Sequence, residues 1–185
     1  MAANTKQILS LSLKKFLCKK SIDSITVKEI VEDCKLNRQT FYYHFQDIYQ
    51  LMEWTFSNDI HLIVNATSDV ASWKNGFLSI CNYALENKTL IKNAYNSLSH
   101  KPLLNFMLDE VLKLFSDAVE VVSRDMAISK EDKDFVARFY RDAVMGVLLD
   151  WGKNNMRQTP EDLADKLDLV ISQNIYTTLQ RFAIK

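Results

Sequence analysis

The 185 residues, 48% hydrophobic and 25% charged, suffice for a sizeable core and have the balance of an ordinary globular protein. Three Gly and two Pro argue against a turn-rich sheet fold and for long helices joined by few loops. Formal net charge is zero, which excludes a strongly basic chain, but residues 1–50 hold eight basic and five acidic side chains and the rest 15 basic and 18 acidic, a basic head on an acidic body.

Helical periodicity runs almost end to end. The first helix is expected at about 5–19, with Ile8, Leu9, Leu13, Phe16 and Leu17 as apolar positions. Thr26-Val27-Lys28-Glu29 is a T-x-x-E capping box that starts a short helix, with Val27, Ile30 and Val31 on its buried side. Asn37 is a good cap for a third short helix, and Asp47 with Gln50 makes a box-like start for a fourth that continues to about residue 66. Further helices are expected at about 70–87, 89–98, 102–126, 131–155 and 160–183. The Lys101-Pro102 pair marks one break, and Thr159-Pro160-Glu161 supplies a cap followed by Pro in the first turn. The fold class is therefore all-α with about nine helices. No convincing alternating strand, internal repeat or low-complexity stretch is present.

Residues 26–45 carry the chemistry. Two short helices joined by the turn Cys34-Lys35-Leu36 match a helix-turn-helix in length and phasing. Ile30, Val31, Leu36, Phe41 and Phe45 supply a small core, which leaves Arg38, Gln39, Tyr42, Tyr43 and His44 on the outer face. Arg pairs with guanine edges and Gln with adenine edges, while Tyr and His donors suit phosphate oxygens. The bland alternative is a solvated face over core aromatics. Four amphipathic rings on one short helix cannot all be buried, which favours the surface role.

Thr26-Val27-Lys28-Glu29-Ile30 followed by Leu36-Asn37-Arg38-Gln39-Thr40-Phe41-Tyr42-Tyr43-His44-Phe45 resembles the DNA-binding signature of the TetR family over roughly residues 5–54. The resemblance implies a homodimer with a helix-turn-helix head at 1–47 and a helical regulatory and dimerisation body at 48–185. It implies DNA contact from Thr26, Arg38, Gln39, Thr40, Tyr42, Tyr43 and His44, with bases read at Arg38, Gln39 and Tyr43 and phosphates held by Tyr42 and His44; Asn37 on the same segment, and Lys28 and Lys35 as replacements for a phosphate contact missing at Ile48, are further DNA-binding candidates. The chain departs from the family pattern at Ser21 and Lys35, where Gly is usual, and at Ile48, where Lys is usual. The recognition segment with Trp54 and Phe56, and the later Phe139-Tyr140, Gly146, Trp151, Met156 and Thr159-Pro160-Glu161, are similar to a subgroup that regulates dihydroxyacetone kinase operons. That likeness implies an activator working through a protein coregulator.

In the body, Trp54, Trp73, Tyr95 and Tyr140 are candidates to line an effector pocket, against ordinary core packing for each taken singly. The helices at 131–155 and 160–183 are apolar over more than one face, so Phe139, Ala143, Gly146, Leu167, Ile171 and Ile175 are candidates for a twofold four-helix interface. The expected partners are a pseudo-palindromic double-stranded operator, a second copy, and a small-molecule effector or protein coregulator. A helical adaptor that has lost DNA binding is the competing class.

Cys18, Cys34 and Cys81 form no CxxC pair, so buried free thiols in a reducing cytoplasm are expected, and no metal or cofactor. Lys6, Lys14 and Lys15 interrupt the N-terminal apolar pattern of a secretory leader, and the apolar run Ala143–Leu149 is too short to span a bilayer. Ser12-x-x-Lys15 matches an acyl-enzyme pattern without its companion motifs, and nothing else suggests an enzyme.

Overall fold

A computed structural model describes residues 2–66, 73–95 and 101–183, and side chains within 5–63, 73–95 and 104–183. Among the described residues there are nine α-helices and no strand: α1 (Ala2–Leu17), α2 (Val27–Asp33), α3 (Arg38–His44), α4 (Ile48–Ala66), α5 (Trp73–Glu86), α6 (Lys88–Tyr95), α7 (Lys101–Val122), α8 (Lys130–Lys153) and α9 (Pro160–Ala183). A 3-10 turn at Ile22–Ser24 links α1 to α2. The expected start of the helix at 70–87 and the end of that at 89–98 lie partly outside the described residues.

The chain divides into two compact units, residues 1–62 with 86–106, and residues 63–85 with 107–185. In the first, Leu9, Leu13 and Leu17 of α1 are fully buried, an i, i+4, i+8 row on one helix face. They share a core with Ile30, Val31, Phe41, Phe45, Leu51, Met52 and Phe56. Ile8, expected on the same apolar face, is exposed. α6 packs on α1, burying Leu90 and Ala94, and the Asn93 amide donates to the Leu17 carbonyl at 2.7 Å, satisfying a helix-end acceptor. Ser12 and Lys15 both bind the Asp33 carboxylate, Ser12 at 2.9 Å. This accounts for the Ser-x-x-Lys pattern: the pair neutralises an acid at the C-terminal, electronegative end of α2.

In the second unit the rings of Trp73, Phe115 and Tyr140 stack in sequence, with centroids 5.9 and 5.8 Å apart and interplanar angles of 27° and 22°. Gly76 of α5 faces α7 so closely that an added Cβ would lie 2.9 Å from a Leu114 methyl. α8 ends in a Schellman motif, with Met156 N–H donating to the Trp151 carbonyl at 2.8 Å and Asn155 N–H to that of Gly152 at 3.1 Å. Asn155 and Met156 both adopt positive φ, 61° and 52°. The Trp151 indole donates to the Gln158 carbonyl at 3.0 Å, and Thr159 caps α9 through Asp162 N–H at 3.1 Å with Pro160 following. The expectation of buried thiols holds for Cys81 alone: Cys34 is half-buried and Cys18 exposed. Burial, with the Glu161 charge added, pushes the Cys81 thiol up to about 12.

Candidate nucleic-acid interface

The capping box expected at Thr26 is complete. Glu29 N–H donates to Thr26 Oγ1 at 3.3 Å, and Thr26 N–H and hydroxyl both donate to Glu29 Oε2 at 2.9 Å. A 2.7 Å bond from Lys20, added to those from Thr26, lowers the Glu29 carboxyl to about 2. The end of α2 is equally well defined. Lys35 has φ of 54°, its N–H donates to the Glu32 carbonyl at 3.2 Å, and Leu36 N–H to that of Val31 at 2.8 Å. This Schellman turn places a lysine where the left-handed conformation favours glycine. Ser21, by contrast, has φ of −60° and needs no glycine.

Asn37 caps α3: its Oδ1 accepts the Thr40 N–H at 2.7 Å and the Thr40 hydroxyl at 2.9 Å. Helical spacing then sorts α3 into rows. Phe41 and Phe45 are buried and form the root of the helix. Arg38 with Tyr42, and Gln39 with Tyr43, form two exposed rows, Tyr42 being 57% and Tyr43 82% exposed. Thr40 and His44 flank them, half-buried. The rings interlock edge to face, Phe41 with Tyr42 at 5.5 Å and Tyr43 with His44 at 4.9 Å, so the outward aromatics are braced by the root.

The candidates differ in what they still have to offer. Thr26, Asn37 and Thr40 use side-chain oxygens on caps, and Lys28 faces Glu32 at 3.8 Å. Lys35, Arg38, Gln39, Tyr42 and Tyr43 have no side-chain hydrogen-bond or ion-pair partner among the described residues, and all five are exposed. Ile48 is buried in the first unit's core, where a lysine would be desolvated. Gln50 completes the start of α4 differently from a regular box, accepting from Gln46 N–H at 2.6 Å while its own N–H donates to Asp47 at 2.8 Å.

Residues 71–173, more than half of the chain, match the family model for the transcriptional regulator C-terminal region, TetR_C_8. The chain belongs to the TetR family of transcriptional regulators. The matched span contains none of the helix-turn-helix residues, so body and head point to the same family from separate stretches of sequence. A curated relative, the HTH-type dhaKLM operon transcriptional activator DhaS of Lactococcus lactis subsp. lactis (strain IL1403), is 26% identical over 145 residues, covering 77% of this chain and 76% of the relative. The solved structure of the dihydroxyacetone kinase operon activator DhaS superposes with a TM-score of 0.70 at 22% identity, over 97% of this chain and 98% of that one. NalD, the secondary repressor of the MexAB-OprM multidrug efflux pump in Pseudomonas aeruginosa, shares the fold at a TM-score of 0.54 and 13% identity, over 97% and 98% of the two chains. This TetR-type chain is thus a transcription regulator, and its relatives are regulators rather than enzymes. No described helix is long and apolar enough to cross a membrane, and no described cluster of His, Cys, Asp and Glu could hold a metal.

The body candidates separate. Trp54 and Tyr95 belong to the first unit, Trp73 and Tyr140 to the second. Trp54 packs on Phe45 at 6.0 Å, while Trp73 and Tyr140 sandwich Phe115. A groove of about 320 Å³ is lined instead by residues of α8, the turn after it and α9, including Gly146, Asp150, Trp151, Arg157 and Leu163.

The interface candidates also divide. Phe139 and Ala143 are exposed on α8 and Gly146 lies in the same stripe, in line with exposed Phe135. Leu167, Ile171 and Ile175 are buried within the protomer, which removes them from the outer face. They form the i, i+4, i+8 row of α9 that packs inward, and the exposed apolar residues of that helix are Leu169, Val170 and Tyr176. Sequence periodicity showed two apolar rows on α9 without showing which one the protomer itself covers.

Proposed function

We propose that the chain binds a pseudo-palindromic operator as a homodimer, reading bases through Arg38, Gln39 and Tyr43 and holding phosphates through Tyr42 and His44, with Lys35 as a further cation on the same face. Residues 1–47 carry the DNA-binding function and 48–185 regulation and dimerisation. The carrying observation is α3, which exposes two rows of hydrogen-bonding side chains on a buried Phe41–Phe45 root. One short helix offers too few base contacts to specify a genomic site, so a twofold pair of heads is required. The outward apolar stripes of α8 and α9 are suited to join the copies, with Phe139 and Gly146 near the centre of the α8 stripe. A gel shift against the DNA flanking its own gene tests this: retention must be specific, salt-sensitive and dimeric. Retention that is equal on unrelated DNA would leave the adaptor reading in its place.

A second reading concerns the sign of control. Likeness to DhaS in both sequence and fold favours activation of a dihydroxyacetone-kinase-type operon through a protein coregulator over direct sensing in a pocket of its own. A transcription assay on such a promoter, with and without the chain and with candidate metabolites alone, separates the two. Response to a metabolite without any second protein would favour a direct effector site.

A further inference from the structure

The first unit contains a cation held by aromatic faces rather than by acids. Lys6 of α1 places its Nζ 5.7 Å from the ring centroid of Phe45 and 5.8 Å from that of Trp54. The two rings lie 6.0 Å apart at 58°, so the ammonium sits against both. No carboxylate pairs with Lys6 among the described residues, in contrast to Lys14 with Asp59, Lys15 with Asp33 and Lys20 with Glu29 on and just after the same helix. Phe45 is the residue at which α3 ends, and its ring continues to Phe41 at 6.0 Å and His44 at 6.4 Å. From there the ring contacts reach the outward Tyr42 and Tyr43. Lys6 therefore touches the one ring that both terminates the recognition helix and braces its exposed side chains.

We infer that Lys6 is a positioning residue for DNA reading: its ammonium clamps Phe45 against Trp54 and so fixes the C-terminal end of α3 relative to α1 and α4. The inference rests on the operator-binding reading. The physical basis is the attraction of a cation to the negative face of a ring, which is stronger for indole than for benzene and strengthens as water is excluded. Lys6 is half-buried, so part of its hydration is already replaced by the rings. A phosphate ligand needs its charge turned towards solvent and DNA, whereas a clamp uses that charge on the rings. The two roles predict different salt dependences, because only a phosphate ligand releases counterions.

The test compares wild type with Lys6→Met, which keeps the length and apolar stem, and Lys6→Arg, which keeps the cation. Binding is titrated on the intergenic DNA flanking its gene and on unrelated duplex over a range of salt. The clamp predicts a roughly three- to tenfold loss of specific affinity in Lys6→Met. It also predicts unchanged binding to unrelated duplex, an unchanged salt slope and recovery in Lys6→Arg. Equal weakening on both duplexes, with a salt slope shallower by about 0.9 for each phosphate no longer neutralised, would make Lys6 a phosphate ligand and overturn the proposal. A reading without DNA keeps the clamp separate from the operator assignment. In a Trp73→Phe, Trp151→Phe background the emission of Trp54 reports the ammonium directly, and Lys6→Met shifts it in the folded protein as judged by helical circular dichroism. Unchanged Trp54 emission overturns the clamp whether or not the operator is bound. A shifted emission in a protein that binds no operator leaves the clamp in place and removes the DNA reading.

Discussion

Two helices of this chain expose aromatic side chains to similar extents and for different ends. On α3, Tyr42 and Tyr43 are 57% and 82% exposed; on α8, Phe135 and Phe139 are 57% and 60% exposed. The pairs differ chiefly by a hydroxyl. On α3 the hydroxyls accompany Arg38 and Gln39, side chains with the hydrogen-bonding groups that the proposed wet, charged partner requires. On α8 the rings continue into Ala143 and Gly146, a stripe with nothing to offer water or phosphate. An exposed tyrosine is compatible with remaining in solvent until DNA arrives, whereas two exposed phenylalanines in line with small residues mark a surface that another protein surface covers. Exposure alone does not separate the two faces; the polar atom at the ring tip does.

The largest expected effect lies on the apolar face. A Cβ at Gly146 meets no atom of the protomer within 4 Å, so Gly146→Glu leaves each protomer folded. Across a closed dimer face it buries an unpaired carboxylate, at a cost of about 3–5 kcal/mol, enough to split the dimer at micromolar concentration. Light scattering should report half the wild-type mass with helical content retained. A dimer of wild-type stability would remove α8 from the interface and with it the contrast between the two faces.

Next in size are substitutions on the polar face. Arg38→Ala or Gln39→Ala should cost roughly 1–3 kcal/mol at particular base pairs and relax preference there. Tyr42→Phe, which converts one face's ring into the other's, should weaken all sequences alike, because a phosphate ligand carries no base identity. Binding across a library of operator variants distinguishes the patterns. Unchanged preference in Arg38→Ala would place the reading face elsewhere.

A smaller effect sharpens how the head is built. Lys35→Gly relieves a left-handed lysine and should stabilise the chain by about 1 kcal/mol, raising Tm by roughly 2–4 °C. It also removes a cation facing the proposed DNA, so operator affinity should fall as stability rises. A melting curve and a salt-dependent titration on the same preparation check both signs.

The smallest effect concerns acid. Glu29 has its carboxyl lowered from 4.5 to about 2, chiefly by Lys20 and then by Thr26. Its contribution to folding is complete above the unfolded value and is lost as pH falls through the folded one. The stability gap between wild type and Glu29→Gln, measured by urea midpoints from about pH 5 down to about pH 2, should therefore shrink. A constant gap would mean that the box acts by packing alone.

How much of this was legible follows from the range of the interactions. Caps, boxes and turns are local, so Thr26, Asn37, Thr159 and the sorting of α3 into buried Phe41 and Phe45 with exposed neighbours could be read from spacing. What spacing does not carry is which of two apolar rows the protomer covers. Leu167, Ile171 and Ile175 form as good a row as Leu169, Val170 and Tyr176, and only the packing of α8 on α9 decides between them. The pairing of Lys6 with Phe45 and Trp54 was equally hidden, since it joins α1 to the end of α3 and to α4. Spacing dismissed the Ser12-x-x-Lys15 match as coincidence but could not show what the two side chains do, because their shared partner Asp33 lies on another helix.

The position of α6 bears on how separable the DNA-binding head is. Residues 86–106 group with residues 1–62, and Asn93 holds the end of α1 through the Leu17 carbonyl. A protease cut or an engineered truncation after residue 47 or 62 would strip α1 of that amide and of the Leu90 and Ala94 cover. The first compact unit is therefore discontinuous along the chain, and a transplant of the proposed DNA-binding residues 1–47 onto another regulator would have to carry α6 as their support.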